Sequence, residues 1–114
     1  MNYDKKEFVV CAAVWSKELE LKKEISYCRS RNLDHGVVFA GLRHPHAMYT
    51  MVAVTGLRSV TYAEDAVGEH VQGFVTSKDR FVDRTEAMKI ALAAGQVTEG
   101  ETYSTSELFS EDLY

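Results

Sequence analysis

Two apolar periods lie back to back between Val71 and Gln96, VQGFVTSKDRFVDRTEAMKIALAAGQ, and the rest of the pattern can be laid out around them. VQGFVT alternates as a strand, SKD supplies a tight turn, RFV reads as a second short strand, and RTEAMKIALAAG changes to helical spacing. The helix has a local start signal. Asp83 can accept from the unpaired amides of the first turn, and Glu86, three residues on, can reach back to the amide of Asp83 as a capping box. Val82 and Ala87 stand at the staple positions, and Gly95 sits where a left-handed residue closes a helix. Ala87, Ile90, Ala91 and Ala94 recur at intervals of three and four, a narrow face whose small side chains let a helix lie close to a sheet.

Upstream, EFVVCAAVW from Glu7 to Trp15 is a continuous apolar run that predicts a central strand covered on both faces. Lys17 to Arg31 holds two periods at once: Leu21, Ile25 and Cys28 keep helical spacing, while ELELKKEI alternates. A helix from about Lys22 to Arg31 is expected there. Asn32 to His35 supplies a turn, and GVVFAGLRH reads as the next strand. Pro45 then stands at the first position of a helix that Gly56 would stop. Met48, Met51, Val52 and, one face round, Tyr49 predict that this helix is mostly buried. LRSVTY, Leu57 to Tyr62, is a short strand candidate, followed by the acidic loop AEDAVGEH. Beyond the polar stretch VTEGETYSTSE, the segment LFSEDLY is apolar at Leu108, Phe109, Leu113 and Tyr114, so it is expected to dock on the core. The pattern predicts an α+β fold, a small antiparallel sheet flanked by two or three helices, in a single domain spanning residues 1–114.

Charge narrows the partners. With 17 acidic and 13 basic residues the net charge is −4, which argues against a protein that coats duplex DNA but leaves room for a small arginine-lined site. No run is long enough to span a bilayer, and MNYDKKEFVV lacks the apolar core of a signal peptide, so a cytoplasmic protein without membrane contact is expected. Cys11, in an apolar run, reads as a small hydrophobe. Cys11 and Cys28 make no disulfide framework, although sequence leaves a bridge between them open.

His44-Pro45-His46 invites a metal reading, with His35, His70 and the cysteines as further ligands. Pro45 opens a helix, however, so the pair would diverge, and no third ligand lies at a recognised spacing; no metal is expected. There is no G-x-S-x-G, Walker loop or G-x-G-x-x-G, and the carboxylates are scattered, so neither a catalytic residue nor a cofactor is assigned. What remains are arginines and aromatics at element ends: Arg43, Arg58, Phe74, Arg80, Phe81 and Arg84. Arginine offers forked donors to phosphate and rings offer faces to bases, a combination suited to a nucleotide-like small molecule. Each has a plainer reading: Phe74 and Phe81 as core, Arg58 as a solvated charge, the Arg80 to Arg84 stretch as a well-capped structural helix start. His44 reads as a polar group at a helix start that caps it or meets a ligand anion.

The VVCAAVW strand, GLRH at a strand-to-helix junction, QGF followed by TSKDRFVDRTEAMKIALAAGQ, and the closing LFSEDLY together resemble small phage and bacterial proteins that include the first-described Thoeris anti-defence sponges. The resemblance covers most of the chain outside Lys17 to Asp34. It implies a non-enzymatic phage protein acting in the cytoplasm of the infected host. Such proteins bind cyclic ADP-ribose isomers made by TIR-domain enzymes, and some also bind cyclic di- or trinucleotides, cyclic oligonucleotides made by cGAS-like enzymes. The signal is held intact and away from its effector. The resemblance further implies a homo-oligomer, dimers assembled into hexamers, with Phe74, Asp83 and Arg84 in the pocket for the TIR signal and Arg43, His44 and Arg58 as phosphate contacts. The alternatives are a small phosphodiesterase-like enzyme and a structural or adaptor oligomer without a small ligand.

Overall fold

The apolar runs become four antiparallel strands: β1 (Val9–Ser16), β2 (Val37–Gly41), β3 (His70–Thr76) and β4 (Phe81–Asp83), in the sheet order β2-β1-β3-β4. The computed structural model describes residues 6–17, 19, 30–55 and 70–113. The helix α1 (His44–Thr55) follows β2, α2 (Arg84–Ala93) follows β4, and a short 3-10 turn covers Ser110–Asp112. The described chain thus runs twice through strand, strand, helix, with the first strand of each round meeting the other at the centre of the sheet. This is the α+β arrangement that the pattern predicts. The helix expected from about Lys22 and the strand at Leu57 to Tyr62 lie outside the described residues, apart from Ser30 and Arg31, which are in a loop and turn.

Register decides which residues make the core. Ala12 pairs with Phe74, Phe74 with Val82, and Val14 with Phe39, so these five side chains share one face of the sheet. Ala12, Phe74 and Val82 pack with Val9 and with Ala87, Met88, Ile90 and Ala91 of α2. Val14 and Phe39 pack with Ala47 and Met51 of α1. Both helices therefore cover the same face. On the opposite face Trp15 lies against Phe81, ring centroids 5.9 Å apart, and donates through Nε1 to the His35 carbonyl. The edge strand β4 is also closed by a side chain: the Asn32 carboxamide accepts from the Phe81 amide and donates to the Phe81 carbonyl, as a neighbouring strand would.

Two expectations need correction. The helix α1 is not mostly buried: Ala47 and Met51 are enclosed, but Tyr49 is 75% and Val54 70% exposed. One stripe one turn apart meets the sheet, and among the described residues nothing covers the rest. The central strand is covered on both faces only in its middle. Ala12, Ala13 and Val14 are fully buried, whereas Val10 is 44% exposed beside the register shift between Val9 and Cys11.

Local chemistry sets the remaining boundaries as expected. The β3–β4 turn closes with the Asp79 amide donating to the Thr76 carbonyl, and Asp79 adopts φ 58°, a left-handed position that aspartate tolerates. The Asp83 carboxylate accepts from the Glu86 amide at 2.8 Å, but among the described residues the Glu86 side chain makes no return bond to the Asp83 amide, so the helix start has the cap without the expected reciprocal box. At the far end of α2, Gly95 has φ 75°, and the amides of Gly95 and Gln96 donate to the carbonyls of Leu92 and Ala91, a Schellman closure.

The segments around Glu7, Gln96 and Leu108 are tied to this frame. The Gln96 carboxamide exchanges both hydrogen bonds with the Val9 backbone. Glu7 receives the Arg80 guanidinium bidentately at 2.7 and 2.8 Å, and this hydrogen bonding holds its carboxyl below the usual range. Leu108 is fully buried in the α2 cluster and Leu113 packs against it, so the described part of LFSEDLY, residues 108–113, docks.

Candidate functional site

Helix α2 begins directly after β4 and α1 follows β2 after two intervening residues, and both starts come to rest over the middle of β3. His44, the first residue of α1, places Nε2 2.7 Å from the Gly73 carbonyl oxygen and sets its ring edge-on to Phe74, centroids 4.9 Å apart. A carbonyl can only accept, so Nε2 carries the proton and Nδ1 is the nitrogen left to titrate. Burial pushes the His44 pKa down, the Gly73 hydrogen bond opposes this, and the charges of Arg84 and Glu111 act in opposite directions. The neutral ring is therefore the form the fold prefers. The unfolded chain gains its proton first as pH falls through 6.5, and stability is lost from there down through the depressed native value. Urea titrations of the wild type should show a fall in stability between pH 7 and 5 that is flattened in His44→Gln.

Arg84, the first residue of α2, stands across Gln72 and Gly73 from His44. Its Nη1 donates to the Leu108 carbonyl at 2.9 Å and its Nη2 to Oε1 of Gln72 at 2.6 Å. The guanidinium lies over the ring of Phe109, 4.5 Å from its centroid. Both hydrogen-bond acceptors are neutral. Burial lowers the Arg84 pKa, partly opposed by the charges of Glu107 and Glu111, yet a guanidinium remains charged throughout the ordinary pH range. The Leu108 amide donates in turn to the Arg84 carbonyl, so the docked tail is fastened to the helix start in both directions.

Beside this junction is an open cavity of about 420 Å³, lined among the described residues by Tyr103, Phe109 and Glu111. Its size is that of a small-ligand cleft. Glu111 is exposed, and its carboxyl is held below the usual range first by its own backbone amide and then by the Ser110 hydroxyl and the charge of Arg43. The cavity thus has aromatic walls, with Arg84 stacked on one of them and Arg43 near enough to be felt by its carboxylate.

Of the residues that sequence proposes, Arg43, His44 and Arg84 are brought to this junction. Phe74 is near them but fully enclosed in the core, with no face left for a ligand. Asp83 is committed to its cap. Arg58 lies outside the described residues. His44 and His46 diverge, one buried and the other exposed, and among the described residues no three His, Cys, Asp or Glu side chains are grouped to hold a metal ion. Sequence reasoning missed Gln72, Tyr103, Phe109 and Glu111 as site residues. The one available signal was the apolar LFSEDLY after a polar stretch, which announces docking without saying where.

These features define a small α+β protein with a ligand-sized cleft where two helix starts and a docked tail meet. The family described as Phage T4 y16D protein matches residues 8–114, and the chain belongs to this family of phage proteins. Comparison with curated proteins and with solved structures gave no match. Among the described residues no helix is long and apolar enough to cross a membrane.

Proposed function

We propose that the protein is a phage anti-defence sponge. It binds cyclic ADP-ribose isomers, and cyclic di- or trinucleotides of the same general chemistry, and holds them uncleaved away from the effectors they would activate in the host cytoplasm. The observation that carries this reading is Arg84, a half-buried cation hydrogen-bonded to two neutral acceptors and stacked on a ring that lines the cavity. A positive charge whose hydrogen-bond acceptors among the described residues are both neutral favours an anion, and aromatic walls favour a base, so phosphate and nucleobase are both provided for. Arg43 and His44 add polar contacts on the same side. In this reading copies of the chain associate through the bare side of α1, where Tyr49 and Val54 are exposed.

The test is to incubate the purified protein with lysates containing TIR or cGAS-like products, wash it, release bound material by heat and weigh it by mass spectrometry. An intact cyclic nucleotide is the expected result. A cleaved product would instead make the cavity that of a nucleotide-processing enzyme. Absence of any released nucleotide would favour the adaptor reading.

A further inference from the structure

The two aromatic residues of the cavity belong to one loop, and a single side chain holds both of its ends. Oδ1 of Asp112 accepts from the Tyr103 amide at 3.1 Å, and Oδ2 accepts from the Phe109 amide at 2.9 Å. The second of these is the ordinary closure of a short helical turn, in which the third residue reaches back to the cap. The first does nothing for that turn, because Tyr103 lies nine residues upstream of Asp112. Between the two ends the loop is organised internally. The Ser104 hydroxyl accepts from the amides of Ser106 and Glu107, and Thr102 donates to the Ser104 carbonyl.

The two walls are held very differently. Phe109 follows the buried Leu108 and lies under the Arg84 guanidinium, so its place is fixed by packing. Tyr103 is 77% exposed, and packing does little to fix it. We propose that Asp112 is a positioning residue that sets Tyr103 opposite Phe109, so that the cavity presents two aromatic walls at a separation fixed before ligand arrives. This rests on the proposal that the cavity binds a nucleotide. A preset spacing favours one flat ring between the walls and spares the loop the entropy of closing on it. A carboxylate suits the task because it can serve two amides with separate oxygens, whereas a carboxamide has one acceptor to offer.

Amide hydrogen exchange in the free protein and calorimetric titration with the cyclic ADP-ribose isomer gcADPR test this together. In the wild type the Tyr103 and Phe109 amides should both be protected. Asp112→Asn should release one of them and Asp112→Ala both, with core amides such as Phe74 unchanged. Affinity for gcADPR should fall about tenfold in the asparagine variant and further in the alanine variant, the scale of one and two hydrogen bonds to a charged group. Unchanged Tyr103 protection in Asp112→Ala would overturn the clasp whether or not any ligand binds. Lost protection with wild-type affinity would overturn its role in positioning. If the wild type itself ignores gcADPR, the assignment of that ligand fails, while exchange still decides the clasp. If the alanine variant does not fold, the asparagine variant decides by the same two readouts.

Discussion

Replacing Phe74 by alanine is expected to lower stability by about 3–5 kcal/mol, the usual result of emptying a fully buried aromatic site. That is a large share of the roughly 5–15 kcal/mol that holds an ordinary domain together. The ring touches Ala12 and Val82 across the sheet, meets α2 from below and receives the edge of His44, so no single neighbour can collapse into the space. Phe74→Leu, which keeps most of the volume, should cost far less, on the order of 1.5 kcal/mol. Urea unfolding gives both numbers. The pair also separates two roles: if Phe74 were a ligand wall, the leucine variant would fold well yet bind poorly, whereas a core role predicts that it binds as the wild type does.

Gly73→Ala should be nearly as damaging for a different reason. A β-carbon there would collide with the Val82 carbonyl oxygen and stand 2.8 Å from Cζ of Phe81. The phenyl ring could turn aside, but the carbonyl belongs to β4 and can move only if the β3–β4 ladder opens. With three paired residues in that ladder, little is left to resist. The expected loss is at least about 3 kcal/mol, above the common range for overpacking because a backbone atom must yield. Exchange of the 81–83 amides should accelerate together. Since the Gly73 carbonyl is also the His44 acceptor, and that hydrogen bond opposes the lowering of the His44 pKa by burial, its loss should depress this pKa further and steepen the pH dependence of stability in the same variant.

The parts of the fold that were legible in the sequence are those decided within a few residues. Asp83, Gly95 and the Ser77–Asp79 turn carry their instructions locally, and the structure puts β4, α2 and the hairpin where those instructions say. The same holds for α1, which begins at His44 beside Pro45. What failed were statements about how far a partner layer extends. The period of α1 identifies a stripe, but the width of the face opposite it is a property of the whole sheet. Phe74 shows a related ambiguity. Its neighbours of the same parity on β3 are Gln72 and Thr76, both polar, so alternation alone would set it on a solvent face; its pairing with Ala12 and Val82 makes it core. The cavity was least legible, because Gln72, Arg84 and the 103–112 loop meet only through long-range packing.

That long-range packing also sets the order in which the molecule can assemble. Leu108 completes a cluster that includes Val9, Gln96 grips the Val9 backbone, and Glu7 holds Arg80. Contacts between such distant residues impose a large loop-closure cost before they repay it, which places folding toward the slow end for a small domain. During synthesis β1 must wait for the segment that carries Leu108 before its core can close. The aromatic loop that walls the cavity is thus among the later pieces of the fold to be fitted.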